Sequence, residues 1–167
     1  MEARAANFAV VAVRILAENR HMTSGTPYPD APGPASSGPR LLLCDDSPIE
    51  RLALAHYLRA HGYKVDEAGD GKAALFFLKH RPVDLLLLDL QMPDVDGFDV
   101  LNYIDEHRRA LPVILLSGMP PDEIQDKIHS LRTRELPPLL IKPIDPEQVV
   151  EMVEIQLSGE LPQSDQT

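Results

Sequence analysis

Val83-Asp84-Leu85-Leu86-Leu87-Leu88-Asp89-Leu90-Gln91-Met92-Pro93-Asp94-Val95-Asp96-Gly97 is the stretch on which the fold of this chain turns. Leu85 to Leu88 form an apolar run too short for a helix of ordinary length. A strand buried on both faces reads this way, because no solvent side imposes alternation. The run stops at a carboxylate, Asp89, and gives way to a turn-rich segment from Met92 to Gly97. Open parallel sheets bind their ligands outside the carboxyl ends of their strands. An acid at such an end is either a turn-starter or a functional group, and the rest of the chain decides between them.

Upstream of this strand, residues 41–44 are a short apolar strand ending in Asp45-Asp46. Ser47-Pro48 opens a helix, with a capping hydroxyl followed by proline at the first helical position. Ile49, Leu52, Ala55, Tyr57 and Leu58 then recur at helical spacing up to a stop at Gly62. Residues 63–68 alternate as a strand, and 70–80 read as a helix with Ala74, Leu75, Phe77 and Leu78 facing in. The central strand runs over 83–90. Downstream, the pattern predicts a helix over 97–108 with Phe98, Leu101 and Ile104 on one face, and a buried strand over 113–116 ending in Ser117-Gly118. A helix over 121–131 follows, with Asp122 and Glu123 in its first turn, where acids suit the helix dipole. A strand over 139–141 ends in Lys142-Pro143, and a last helix covers 146–157. Five strands alternating with five helices imply right-handed crossovers and an α/β fold. The expected architecture is a doubly wound, five-stranded parallel sheet with five helices, flavodoxin-like.

The chain divides into a globular part over 40–157, an extension over 1–39 and a polar tail over 158–167. Residues 23–39 carry five prolines with glycines and serines, too little apolar surface to offset ordering entropy, and read as a disordered linker. Residues 5–16 are apolar but interrupted by Asn7 and Arg14. Two readings stay open there, a short fraying helix or an upstream extension with Met22 as the true initiator; no small-x-small cleavage site marks a signal peptide. The formal net charge of -10 argues against direct nucleic-acid binding, which needs a basic face. No apolar run is long enough to span a bilayer. Cys44 is the single cysteine, which rules out an intramolecular disulfide and a cysteine-based zinc site and fits a cytoplasmic location.

The chemistry lies at the carboxyl ends of the strands. The first gives Asp45 and Asp46, the third Asp89, the fourth Ser117 and the fifth Lys142. A parallel sheet gathers all of these on one edge. Three crowded carboxylates repel, and an oxygen-preferring divalent cation relieves them, with help from the lysine. Magnesium fits best, since it binds through few carboxylates and keeps waters for a phosphate.

These residues resemble the response-regulator receiver domain of two-component signalling. The resemblance covers 41–157 and rests on L-L-L-C-D-D-S, L-L-L-L-D-L-Q-M-P-D-V-D-G, V-I-L-L-S-G and L-L-I-K-P taken together. It implies that Asp89 is the phosphoacceptor, that Asp46 is a direct Mg2+ ligand and that Asp45 acts mostly through water. Gln91 would lend its backbone carbonyl to the metal, Ser117 would be the switch hydroxyl, and Lys142 would pair with the phosphate. The lysine is often followed by a proline in a strained peptide bond, as Pro143 follows here. The implied donor is a phosphohistidine on a sensor histidine kinase or a histidine phosphotransfer protein. The domain would not be an enzyme beyond assisting its own phosphoryl transfer and loss.

The chain departs from the family pattern at Leu139, where an aromatic residue is common three positions before the lysine. The segment from Arg132 to Pro138 also lacks the usual small-residue turn. The signal is therefore expected to leave through the 118–157 surface without an aromatic pivot, towards a downstream signalling protein that reads residues such as Ile124, Lys127 and Arg134. Met119, two residues after Ser117, cannot orient a hydrolytic water, so self-dephosphorylation should be slow. Cys44 reads as a small buried hydrophobe. Two alternatives to a terminal, single-domain regulator remain. One is a phosphorelay intermediate that hands its phosphoryl group to a histidine phosphotransfer protein. The other is an aspartate-nucleophile phosphatase, which wants a second acid two residues after the nucleophile, where this chain has Gln91.

Overall fold

The computed structural model describes residues 38–107, 110–129 and 137–159. The extension before Gly38, the expected helix ends at Arg108 and Leu131, the segment from Arg132 to Leu136 and the tail from 160 onward lie outside the described residues. Five strands, β1 (Arg40–Cys44), β2 (Lys64–Ala68), β3 (Leu85–Asp89), β4 (Val113–Ser117) and β5 (Leu139–Ile141), alternate with five helices. The helices are α1 (Pro48–Ala60), α2 (Gly71–His80), α3 (Gly97–His107), α4 (Pro121–His129) and α5 (Pro146–Ser158). The strands form one sheet in the order β2-β1-β3-β4-β5, and every pairing is parallel. This is the expected doubly wound architecture. Its winding reverses between β1 and β3, where such sheets open a crevice.

The leucine runs work because alternate residues feed two different cores. Leu41, Leu43, Leu85, Leu87, Ile114 and Leu116 face α1 and α5, where Leu54, Ala55, Leu58, Val149 and Val153 meet them. Leu42, Cys44, Leu86, Leu88, Val113 and Leu115 face the other side, with Ala74, Phe77, Leu78, Phe98, Leu101, Ile104 and Ile124. Both faces are dry, so every strand position can be apolar. A fully buried leucine stabilises by about 1.5–3 kcal/mol over an exposed one, so these runs dominate the fold's driving force. Cys44 is buried, as expected, with its Sγ 3.4 Å from Met92 Sδ.

Three local expectations are corrected. Ser47 stands at the N-cap of α1, but its side chain makes no capping hydrogen bond; its backbone N–H instead donates to Asp45 Oδ1 at 2.8 Å. On α1 the inward face is Ala53, Leu54, Ala55 and Leu58, whereas Ile49 is 51% exposed and Tyr57 only half-buried. Ala55 and Leu58 of the expected set are buried, and contact with β1 and α5 extends that face towards Leu54 rather than Ile49. Ile124 is fully buried and is the one buried residue of α4 among those described, so it anchors the helix and cannot serve as a docking contact. Asp70 caps α2 through Ala73 N at 2.7 Å, and Asp145 caps α5 through Glu147 N at 3.0 Å.

Candidate functional site

Strand register explains how distant residues meet. Cys44 pairs with Leu88, so Asp45 and Asp89 follow side by side at the ends of β1 and β3. Asp89 pairs with Leu116, and Ser117 pairs with Ile141, so Ser117 and Lys142 each stand one step further along. Lys142 is held there by its own backbone, whose N–H donates to Ser117 O at 2.8 Å. The Lys142–Pro143 peptide bond is cis.

The two buried carboxylates are fixed in the same way. Oδ1 of Asp45 accepts from Ser47 N at 2.8 Å, and Oδ1 of Asp89 accepts from Gln91 N at 2.8 Å. Each is an acid that turns the backbone two residues on. Their Oδ2 atoms converge on Lys142 Nζ, at 2.9 Å for Asp45 and 2.7 Å for Asp89. Both side chains are 3% exposed, against 20% for the lysine. Burial pushes the Asp45 carboxyl above the usual carboxylate range, while Lys142 and the Ser47 amide pull it back. For Lys142, burial works against the charge, but hydrogen bonds to Asp89, Asp45 and Glu50 outweigh it and hold the amine above the ordinary lysine range.

Asp46 is exposed and completes the rim. One oxygen each from Asp45, Asp46 and Asp89 lie within 4.8 Å of one another. This donor set is all carboxylate oxygen, the chemistry of a hard divalent cation, and a single ammonium leaves it in excess negative charge. The residues present therefore fit a magnesium ion.

Ser117 is fully buried, and its Oγ accepts from Met119 N at 3.0 Å. The Met119 side chain is buried among the hydrophobes of the core. Gln91 is exposed, and its Oε1 would lie 3.1 Å from a Cβ added at Gly118. A cavity of about 330 Å³ opens beside Asp46, lined also by Gly69, Asp70, Lys72, Pro93, Asp94 and Val95.

All five strand-end residues expected from the sequence reach one edge. Two further residues were not anticipated. Glu50 Oε2 accepts from Lys142 Nζ at 2.9 Å, and Arg51 donates to the Asp45 carbonyl at 2.6 Å. Glu50 follows Ser47 by three, which is the capping-box pattern, so its local signal points to the helix end rather than to the site.

The backbone leaves no slack around Asp89. A Cβ on Gly97 would sit 2.5 Å from Asp89 O and 2.6 Å from Leu90 Cα, both backbone atoms that cannot swing away. Gly97→Ala is therefore expected to destabilise the fold by about 1–3 kcal/mol and to displace the end of β3. Urea unfolding checks the first effect; an unchanged midpoint would show that α3 can retreat at no cost.

Residues 41–154 match the family described as the response regulator receiver domain. The chain is 37% identical over 111 residues to a gliding motility regulatory protein of Myxococcus xanthus, covering 65% of this chain and 14% of that one. It is 35% identical over 119 residues to response regulator GtcR of Aneurinibacillus migulanus, covering 70% of this chain and 47% of that one. The chain thus spans less than half the length of these curated relatives. It is also similar to a solved CheY-like response regulator receiver domain protein from Methanospirillum hungatei. That likeness has a TM-score of 0.66 at 22% identity, covers 74% of this chain and 96% of that one, and shows the fold. Among the described residues no helix is long and apolar enough to cross a membrane.

Proposed function

Because the chain belongs to the response regulator receiver domain family, we propose that it is a phosphoacceptor of two-component signalling in which Asp89 takes a phosphoryl group from a phosphohistidine. The observation that carries this reading is Lys142 Nζ held within 2.9 Å of both Asp45 Oδ2 and Asp89 Oδ2. A carboxylate oxygen of Asp89 attacks phosphorus in line and forms the new P–O bond. The donor's N–P bond breaks and its imidazole leaves with the electron pair. Lys142 supplies fixed positive charge to the transferring oxygens, and the Gln91 amide holds Asp89 in the attacking orientation. Asp45, Asp46, Asp89 and the Gln91 backbone carbonyl would hold Mg2+. When bound, the ion would neutralise charge on the phosphoryl oxygens and on the acids themselves. Ser117 Oγ, at the end of β4, is the switch hydroxyl that turns towards the new phosphate.

The donor is a sensor histidine kinase or a histidine phosphotransfer protein, and the setting is the cytoplasm. The downstream protein reads the 118–157 surface, on which Ile124 is an internal anchor and not a contact. Leu139 packs against the core in place of an aromatic pivot, so the shift falls chiefly to the loop at 118–121. A phosphorelay role differs only in passing the group back to a histidine, and back-transfer to a phosphotransfer protein separates the two. The domain assists only its own transfer and dephosphorylation.

The phosphorylated protein should lose its label slowly. Hydrolysis needs a water lined up behind phosphorus, and Met119 is packed in the core. Gln91 is a neutral, exposed side chain beside the site that can hydrogen-bond such a water. Gln91→Ala is expected to slow decay of the labelled protein several-fold without changing its melting temperature. Unchanged decay would remove Gln91 from the hydrolytic step.

A further inference from the structure

A lysine ammonium has three protons to donate. In this protein Lys142 Nζ spends one each on Asp45, Glu50 and Asp89, at 2.9, 2.9 and 2.7 Å. Esterification of Asp89 weakens its own claim on one of these protons, but a dianionic phosphoryl group can take a second only where Asp45 or Glu50 lets go. The Asp45 side chain is 3% exposed and has its other oxygen tied to a backbone amide. Glu50 is 53% exposed, so water replaces its hydrogen bond at little cost.

Local structure releases Glu50 for this position. Ser47 and Glu50 have capping-box spacing, but the amide that Glu50 would bond, Ser47 N, is already donated to Asp45 Oδ1. The Ser47 side chain makes no cap either. The Glu50 carboxylate crosses instead from the first turn of α1 to the end of β5.

We infer that Glu50 is a positioning residue that occupies the phosphate's place on Lys142 and is displaced when Asp89 is phosphorylated. It holds the lysine at the site in the resting state and opposes the phosphorylated state by competing for the same proton. This inference rests on the reading of Asp89 as phosphoacceptor. The charge-neutral Glu50→Gln keeps the length of the side chain but weakens its claim on the ammonium.

The test is a titration with beryllofluoride, a mimic of the aspartyl phosphate, at saturating magnesium, followed by amide chemical shifts in the full chain. Glu50→Gln should bind beryllofluoride about threefold more tightly than wild type, the scale of one half-exposed charge pair. The gain should shrink as salt is raised. Asp94→Asn is the control: it removes an equal charge from an exposed residue beside Asp46 that pairs with Lys72 and not Lys142. It should leave the affinity unchanged. Equal binding by wild type and Glu50→Gln, or an equal gain in Asp94→Asn, overturns the competition while leaving Asp89 as the acceptor. A wild-type protein that binds no beryllofluoride overturns the phosphoacceptor reading and this inference with it.

Discussion

Asparagine at position 89 is expected to reduce phosphoryl incorporation from acetyl phosphate by at least about a hundredfold while leaving the protein folded. The loss follows from the nucleophile, since an amide oxygen does not form a stable phosphoryl ester. The retained fold follows from the environment. Asp89 accepts from Lys142 and from the Gln91 amide, and asparagine's single oxygen can keep only one of these bonds. A lost hydrogen bond costs about 1 kcal/mol. Against this, Asp89→Asn removes one negative charge from three acids gathered within 4.8 Å. The two effects oppose, and the melting temperature should stay within about 5 °C of wild type. Wild-type labelling should also require magnesium. Equal labelling of the variant would put the phosphoryl group on another residue, and a large drop in melting temperature would mean that Asp89 is chiefly a structural anchor.

The central part of this site was legible because the strands around it are buried on both faces. Leu41–Cys44, Leu85–Leu88 and Val113–Leu116 cannot hide as helices of ordinary length, and each ends on a polar residue that the parallel register then gathers. What the sequence obscured is what depends on choosing between equivalent local patterns. On α1, Ala55 and Leu58 fit a face that includes either Ile49 or Leu54, and only packing against β1 and α5 distinguishes the two. Ile124 reads as a candidate contact on a helix rich in charge, yet it is the buried residue of α4 among those described. Glu50 was hidden most thoroughly. Its partner lies 92 residues away, and its neighbourhood offers a complete local explanation as a capping acid. Long-range electrostatic pairs of this kind have no periodicity to betray them. Arg51 was hidden for another reason: the Asp45 carbonyl it holds is only six residues away, but a backbone oxygen carries no residue-type signal.

Removing the amine of Lys142 should have the largest effect on stability. Lys142→Met keeps most of the stem's packing and deletes the charge. It leaves the Asp45 and Asp89 side chains, each 3% exposed, without the ammonium between them. Breaking a buried pair from one side typically costs about 3–5 kcal/mol, and the partial exposure of Lys142 argues for the low end, roughly 3 kcal/mol at neutral pH. The dependence on pH identifies the cause. Asp45 is already pushed above the usual carboxylate range by burial, with Lys142 opposing. An acid whose folded value is raised binds its proton in the folded state first, so its contribution is fully present below the ordinary carboxylate range and is lost as pH rises through the raised value. Without Lys142 that value climbs further. The deficit of the variant against wild type should therefore be small near pH 4 and full near pH 7. Urea unfolding of both proteins across this range measures it. A deficit of the same size at both ends would assign the effect to the lost packing of the stem. A deficit that grows with pH would instead show that Lys142 stabilises the resting site by its charge, the property that phosphoryl transfer to Asp89 also requires.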